Sequence, residues 1–224
     1  MRTRQAKRAL VAVAAVATML ATTSPALAAT SPDTTQFSVT PGSLAFTATV
    51  PDVPNLPALT LNGQSQTLNG TMNNFGVDDA TGSAAGWNVT VSGDNSGGKS
   101  AVFKRYCPNA TCGTDSGPGY VAGGATLAAG TITLNSTGAS FAGLNGTTGT
   151  APTHQCNAGT CAVDAAPGSP TKIVSAASGA GMGTWGSTGW TATSIAALAP
   201  STVTALPASE VYRVDLLWTL GSGP

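Results

Sequence analysis

Charge is scarce in this chain. Only 8% of its 224 residues are Asp, Glu, Lys or Arg, with nine basic against nine acidic, so the formal net charge is zero. No basic surface is available for nucleic acid, which excludes that class of partner. Aromatics are also few, at 5%, and the chain holds one histidine, His154, and one glutamate, Glu210. A lone histidine between Thr153 and Gln155 supplies no metal cluster and reads as a surface residue in a loop. A single glutamate leaves paired-carboxylate hydrolysis to aspartates, most of them in turn-like segments. The Gly-x-Ser-x-Gly turn of a serine hydrolase is missing, since the nearest string, 138–142, ends on Ala142. No catalytic residue is assigned, a non-enzyme is expected, and no cofactor or metal is expected. What is plentiful instead is Gly, at 28, and Pro, at 14, with much Thr, Ser and Asn beside 42% hydrophobic residues. Such a composition disfavours long helices, yet it is too apolar for disorder. An exported, all-β protein fits it.

The first residues read as an address. Arg2, Arg4, Lys7 and Arg8 precede an apolar run at 9–20, and Ala26, Leu27 and Ala28 supply a small-x-small cleavage pattern. The segment 1–28 is therefore expected to be a secretory signal peptide cut after Ala28. Its apolar run falls short of the roughly 20 residues a membrane-crossing helix needs, and no later run approaches that length. Removing the leader takes four of the nine basic residues, leaving five against nine acidic, a net charge near −4. Polyanionic partners are then further disfavoured.

After a short flexible lead-in at 29–35, the segment 36–224 reads as one β domain. Short β-branched runs at 36–39, 44–50, 58–61, 66–68, 87–92, 101–106, 125–134, 191–198 and 211–220 are separated by Gly-, Pro- and Asn-rich turns. Asn62 and Gly63 between two of these runs suggest a hairpin. The run 191–198 also suits one or two helical turns. The sharpest alternation is in 211–220, where Tyr212, Val214, Leu216, Trp218 and Leu220 share a face. The run 87–92 repeats it, with Trp87, Val89 and Val91 on one face. Strands with one packed face and one wet face stack into sandwiches, so a single β-sandwich-like domain is expected.

Four cysteines occur as two C-x4-C pairs, Cys107 with Cys112 and Cys156 with Cys161. Three pairings are open to four cysteines. In an exported chain disulfides are the default, and the matching local spacing favours two short clasps. Cross-paired bridges and a four-thiolate zinc site are the alternatives. Two further tryptophans, Trp185 and Trp190, flank a Gly-rich turn. They suit either a ligand-stacking platform for sugar faces or a hairpin whose indoles cover a core edge. Asp78, Asp79 and Asp94 suit calcium or, more simply, Asx turns.

The pairing of Trp87 and Trp218 with an aliphatic residue two places on resembles the WxL domain family of Gram-positive surface proteins. The closing stretch, Tyr212 followed by Trp218, Thr219 and Leu220, matches that family's second motif. Val77, Asp79, Gly82 and Gly86 leading into Trp87 look like its first motif, with Val89 where Leu is usual. The two cysteine clasps are a second departure. The resemblance implies a protein of the cell surface, held non-covalently on the cell wall with peptidoglycan as ligand, and association with other surface proteins. Alternation adds that Trp87, Val89, Trp218 and Leu220 face the core, as anchors of the fold or, in the alternative, as ligand contacts.

Overall fold

The computed structural model describes residues 34–109, 112 and 118–224. The leader, and all but the end of the lead-in, lie outside those residues. The chain divides into a unit of residues 1–39 and a unit of residues 40–224. Of the first unit, residues 34–39 carry no regular secondary structure and are exposed, Phe37 at 89%. The strand expected at 36–39 does not form.

The second unit is built from fifteen described strands: β1 (Leu44–Phe46), β2 (Gln66–Gly70), β3 (Gly76–Asp79), β4 (Trp87–Gly93), β5 (Lys104–Cys107), β6 (Gly119–Tyr120), β7 (Ile132–Leu134) and β8 (Ser140–Gly143) come first. They are followed by β9 (Thr153–His154), β10 (Cys161–Ala162), β11 (Thr171–Ala176), β12 (Gly183–Thr188), β13 (Ile195–Ala199), β14 (Val211–Arg213) and β15 (Leu216–Ser222). One single-turn 3-10 helix spans Ser96–Gly98. The strands form four antiparallel sheets, in the orders β1-β3-β12-β8, β10-β7-β13-β2, β15-β4-β11-β9 and β14-β5-β6. The all-β expectation holds, and within 191–198 the part from Ile195 on is strand, with no helical turn.

Three of these sheets close on one core. Phe75 and Val77 come from beside and within β3, and Ile132, Leu134, Ile195 and Ala197 from β7 and β13. Trp87, Val89, Val91, Ile173, Val174 and Ala176 come from β4 and β11. Burying each such aliphatic side chain contributes about 1.5–3 kcal/mol, which is why strict alternation in β4 fixes its orientation.

Both cysteine pairs are bridged as the local spacing favoured, Cys107 to Cys112 and Cys156 to Cys161. The second bridge does more than tighten a loop. Cys156 follows β9 and Cys161 opens β10, so the bridge ties the edge strands of two different sheets. Its Cys156 is 1% exposed and belongs to the core. A loop this short contributes about 2 kcal/mol per bridge on the chain-entropy account.

The expected hairpin at Asn62 and Gly63 is not made. The turn itself forms, with the Asn62 Oδ1 accepting from the Gln64 N–H at 3.0 Å and Gly63 at φ 79°. However, 58–61 is not a strand, and β2 pairs with β13 instead. The expected strand 211–220 is also two strands. β14 pairs with β5 in the three-stranded sheet, and β15 pairs with β4 in the core sheet. Between them the Asp215 backbone bonds to Asp94 and Ser100, which carries the chain from one sheet to the other.

Candidate functional site

The two motif strands are direct neighbours. In the β4–β15 ladder Val89 lies opposite Leu220, Trp218 opposite Val91 and Trp87 opposite Ser222. Opposed residues of an antiparallel pair share a face, so all four motif side chains point the same way. The third positions of the two motifs, Val89 and Leu220, therefore meet each other directly.

Their surroundings differ by motif. Trp87 and Val89 are 0% exposed, whereas Trp218 and Leu220 are half-buried and pack on the rim of the core. The equal burial expected of the two motifs is thus corrected for the second. The cause is topological: β4 is flanked by β15 and β11, while β15 is an edge strand covered on one side only. Central placement also accounts for the valine. Val89 is opposed by Leu220 on one side and Val174 on the other, so a leucine there would overfill a closed slot. Tyr212 stands apart in β14, half-buried, its hydroxyl donating to the Thr204 carbonyl at 3.0 Å.

Trp87 is seated by polar as well as apolar contacts. Its indole N–H donates to the Gly181 carbonyl at 3.0 Å, which satisfies the one polar atom on a fully buried ring. Phe141 meets it edge-on, with ring centroids 6.4 Å apart. Two glycines make room. Gly86 has φ 78°, and a Cβ there would lie 2.3 Å from the Ala176 carbonyl oxygen. Gly181 has φ 73°, and a Cβ there would lie 2.7 Å from the Trp87 indole nitrogen. The Gly-Trp step is a steric requirement of seating Trp87 beside β11.

The lead-in to the first motif is itself a strand, β3, which local pattern did not reveal. Val77 is fully buried, and Asp79, 4% exposed, accepts from the Thr81 backbone N–H at 3.1 Å and hydroxyl at 2.6 Å. Asp78 accepts from the Thr184 hydroxyl at 3.0 Å, across the β3–β12 ladder. These aspartates close a turn and tie a ladder, the simpler of the two uses open to them.

The region of Trp185 and Trp190 does not present two open rings. Trp185 is 4% exposed, with its indole N–H donating to the Met182 carbonyl at 3.0 Å. Trp190 is half-buried, donates to the Ser187 hydroxyl at 3.2 Å and packs against the core. The sugar platform is replaced by the alternative, indoles covering a core edge.

His154 is the clearest reversal. It is 6% exposed rather than on the surface, stacked on Phe141 at 4.6 Å and edge-on to Trp190 at 4.8 Å. Neither ring nitrogen finds a partner in good hydrogen-bonding geometry. Burial pushes its pKa down to about 4, with the Ser140 backbone offsetting part of the shift. It is a neutral member of an aromatic cluster with Phe75, Trp87, Phe141 and Trp190. Its polar neighbours in sequence hid that role, since its burial comes from residues distant along the chain.

Charge collects around the three-stranded sheet β14-β5-β6. Arg105 holds Glu210 through two guanidinium contacts, one of 2.7 Å from Nη2, and keeps that carboxyl below its ordinary value. Lys99 bonds Asp94 at 2.6 Å and, with Ser96, holds it down to about 2. Asp215 takes the Tyr120 hydroxyl at 2.5 Å, the Ser100 N–H at 3.1 Å and the Arg213 guanidinium at 2.7 Å. Burial alone would raise Asp215, but these donors together bring it below the usual carboxylate range. Among the described residues no group of three or more His, Cys, Asp or Glu could hold a metal ion. None of their helices is long and apolar enough to cross a membrane.

Residues 46–224 match the family model described as WxL domain surface cell wall-binding. No curated protein and no solved structure matches the chain.

Proposed function

From a chain that belongs to the WxL family of surface cell wall-binding domains, we propose a protein exported through its N-terminal leader and held non-covalently on peptidoglycan. One observation carries the division of labour within it. The motif residues of both strands lock into a single ladder, with Trp87 and Val89 fully enclosed. A ring with no exposed surface cannot stack on a sugar. The first motif then frames the fold with the second laddered to it, and the wall is gripped by other, exposed residues. The reading is of a binding protein, with catalysis assigned to no residue.

The deciding experiment incubates purified protein with washed cell walls and with bare peptidoglycan, then measures the fraction sedimented. Retention on both is expected. Retention on protein-bearing walls alone would replace this reading with the second one. That second reading, association with partner surface proteins by strand addition, is favoured by β15. It is a seven-residue edge strand paired on one side, with Leu217 50% exposed. Export is checked by the mass of the protein recovered outside the cell, which should lack residues 1–28.

A further inference from the structure

The distribution of rare residues points to one surface. All three tyrosines of the chain, Tyr106, Tyr120 and Tyr212, lie in the small sheet β14-β5-β6. So do, within it or just before it, four of the five cations that follow the leader: Lys99, Lys104, Arg105 and Arg213. Elsewhere among the described residues the exposed charges are Asp52 and Lys172, so the concentration is not a by-product of composition.

The ladder register sorts these residues by face. Tyr106 lies opposite both Val211 and Tyr120, and Lys104 lies opposite Arg213. Lys104, Tyr106, Tyr120, Val211 and Arg213 therefore share one face. Tyr106 and Tyr120 meet edge-on at 5.0 Å, and the Arg213 guanidinium sits 4.6 Å from the centre of the Tyr106 ring. Arg213 and Val211 are exposed, and the tyrosines are half-buried.

Two features of this face serve recognition better than stability. First, like charges directly opposed across a ladder are unfavourable, yet Lys104 faces Arg213. Arg213 is balanced by Asp215, whereas Lys104 makes no ion pair among the described residues. Second, Asp215 is already saturated by Tyr120, Ser100 and Arg213, so it cannot neutralise Lys104 as well. Arg213 spends Nε and Nη2 on Asp215, which leaves Nη1 free among the described residues. The Tyr106 hydroxyl likewise has no partner among them. A local rule broken without a structural return marks a functional position.

We propose that this face is the wall-contacting site, taking a carboxylate-bearing glycopeptide. A sugar ring packs beside Tyr106, whose ring Arg213 already covers, and its neighbouring carboxylate sits between Lys104 and Arg213. This rests on the peptidoglycan reading above and names the part of that polymer recognised, a sugar next to a peptide carboxylate. Long phosphate polymers are a poorer fit, because a run of negative charge would meet the acidic remainder of the protein, whereas one carboxylate meets only this pair.

The test measures binding of the protein, Lys104→Glu and Lys172→Glu to bare peptidoglycan and to peptidoglycan whose carboxylates have been converted to amides. Lys172 is exposed in β11, away from this sheet, so it controls for the same change in net charge. Lys104→Glu should weaken binding about tenfold, as loss of an interface anchor does, while Lys172→Glu binds as the parent does. Amidation should weaken the parent by a similar factor. Lys104→Glu should also melt no lower than the parent, since it replaces a like-charge opposition with an opposite one. Equal binding by both variants, or indifference to amidation, would overturn this site while leaving peptidoglycan binding intact. A parent that ignores bare peptidoglycan would overturn the reading beneath it, and this site with it.

Discussion

Acidification tests the buried histidine directly. An unfolded His154 titrates near 6.5, whereas in the folded protein its value is pushed down to about 4. Between those values the unfolded chain binds a proton that the folded protein refuses. Stability is thus full above the unfolded value, falls as pH drops through the window, and is level again below about 4. The two values imply about 3 kcal/mol lost at the acid end, of which about 2 kcal/mol falls between pH 7 and 4.5. The span from pH 7 to 4.5 lies above the range in which the lowered carboxylates act. Asp94, held at about 2 against an ordinary 3.8, loses its contribution only below the latter value. Glu210 and Asp215, also lowered, act below 4.5 and 3.8. Asp164 works with the opposite sign, because burial raises it, and it contributes equally to parent and variant. The comparison is His154→Phe, which keeps a ring against Phe141 and Trp190 and removes two unpartnered buried nitrogens. Urea unfolding followed by tryptophan fluorescence at the two pH values gives the difference. The parent should lose about 2 kcal/mol that the variant does not, and the variant should equal or exceed the parent at pH 7. Parallel losses in both proteins would refute the assignment.

Trp87→Ala should cost about 3–5 kcal/mol and Trp218→Ala about half as much, because only the first ring is fully enclosed; chemical denaturation ranks them, and equal costs would contradict the central-versus-edge account. Val89→Leu, which restores the family's usual residue, should destabilise by about 1–3 kcal/mol through overpacking between Leu220 and Val174, read as a lower urea midpoint. Gly181→Ala should displace the Trp87 indole from its carbonyl partner, with a changed tryptophan emission spectrum and a loss of at least about 1–2 kcal/mol from the left-handed backbone alone. Replacing Cys156 and Cys161 together with serine should cost about 2 kcal/mol or more, and more than the Cys107 and Cys112 pair, since only the former bridge ties edge strands of two different sheets.

Where a feature was local, the chain announced it. Alternation placed Trp87, Val89 and Val91 inward, and equal five-residue separations paired the cysteines. Where a feature depended on a distant partner, nothing local revealed it. The apolar residues at 36–39 and 58–61 have strand-like composition but no neighbouring strand, and all but the half-buried Leu59 stay exposed. Conversely β8 and β12, rich in Ser, Gly and Thr, became strands because each found a ladder partner, one another. His154 was hidden for the same reason, as was the break at Val214 and Asp215, where the side-chain period continues unbroken while the hydrogen-bonding partner changes from β5 to β4.

That break joins the two halves of the functional argument. Val211–Arg213 presents Arg213 beside Tyr106, and Leu216–Ser222 presents Trp218 and Leu220 to the ladder of Trp87. The link between them is Asp215, whose backbone bonds to Asp94 and Ser100 and whose carboxylate holds Tyr120 and Arg213. The second motif therefore anchors, a few residues downstream, the strand that carries the proposed wall contact. A motif can be required for wall binding without touching the wall if its strand pairing fixes where Arg213 stands. Loss of binding in a motif variant should then track loss of folding, whereas loss of binding in Lys104→Glu should not.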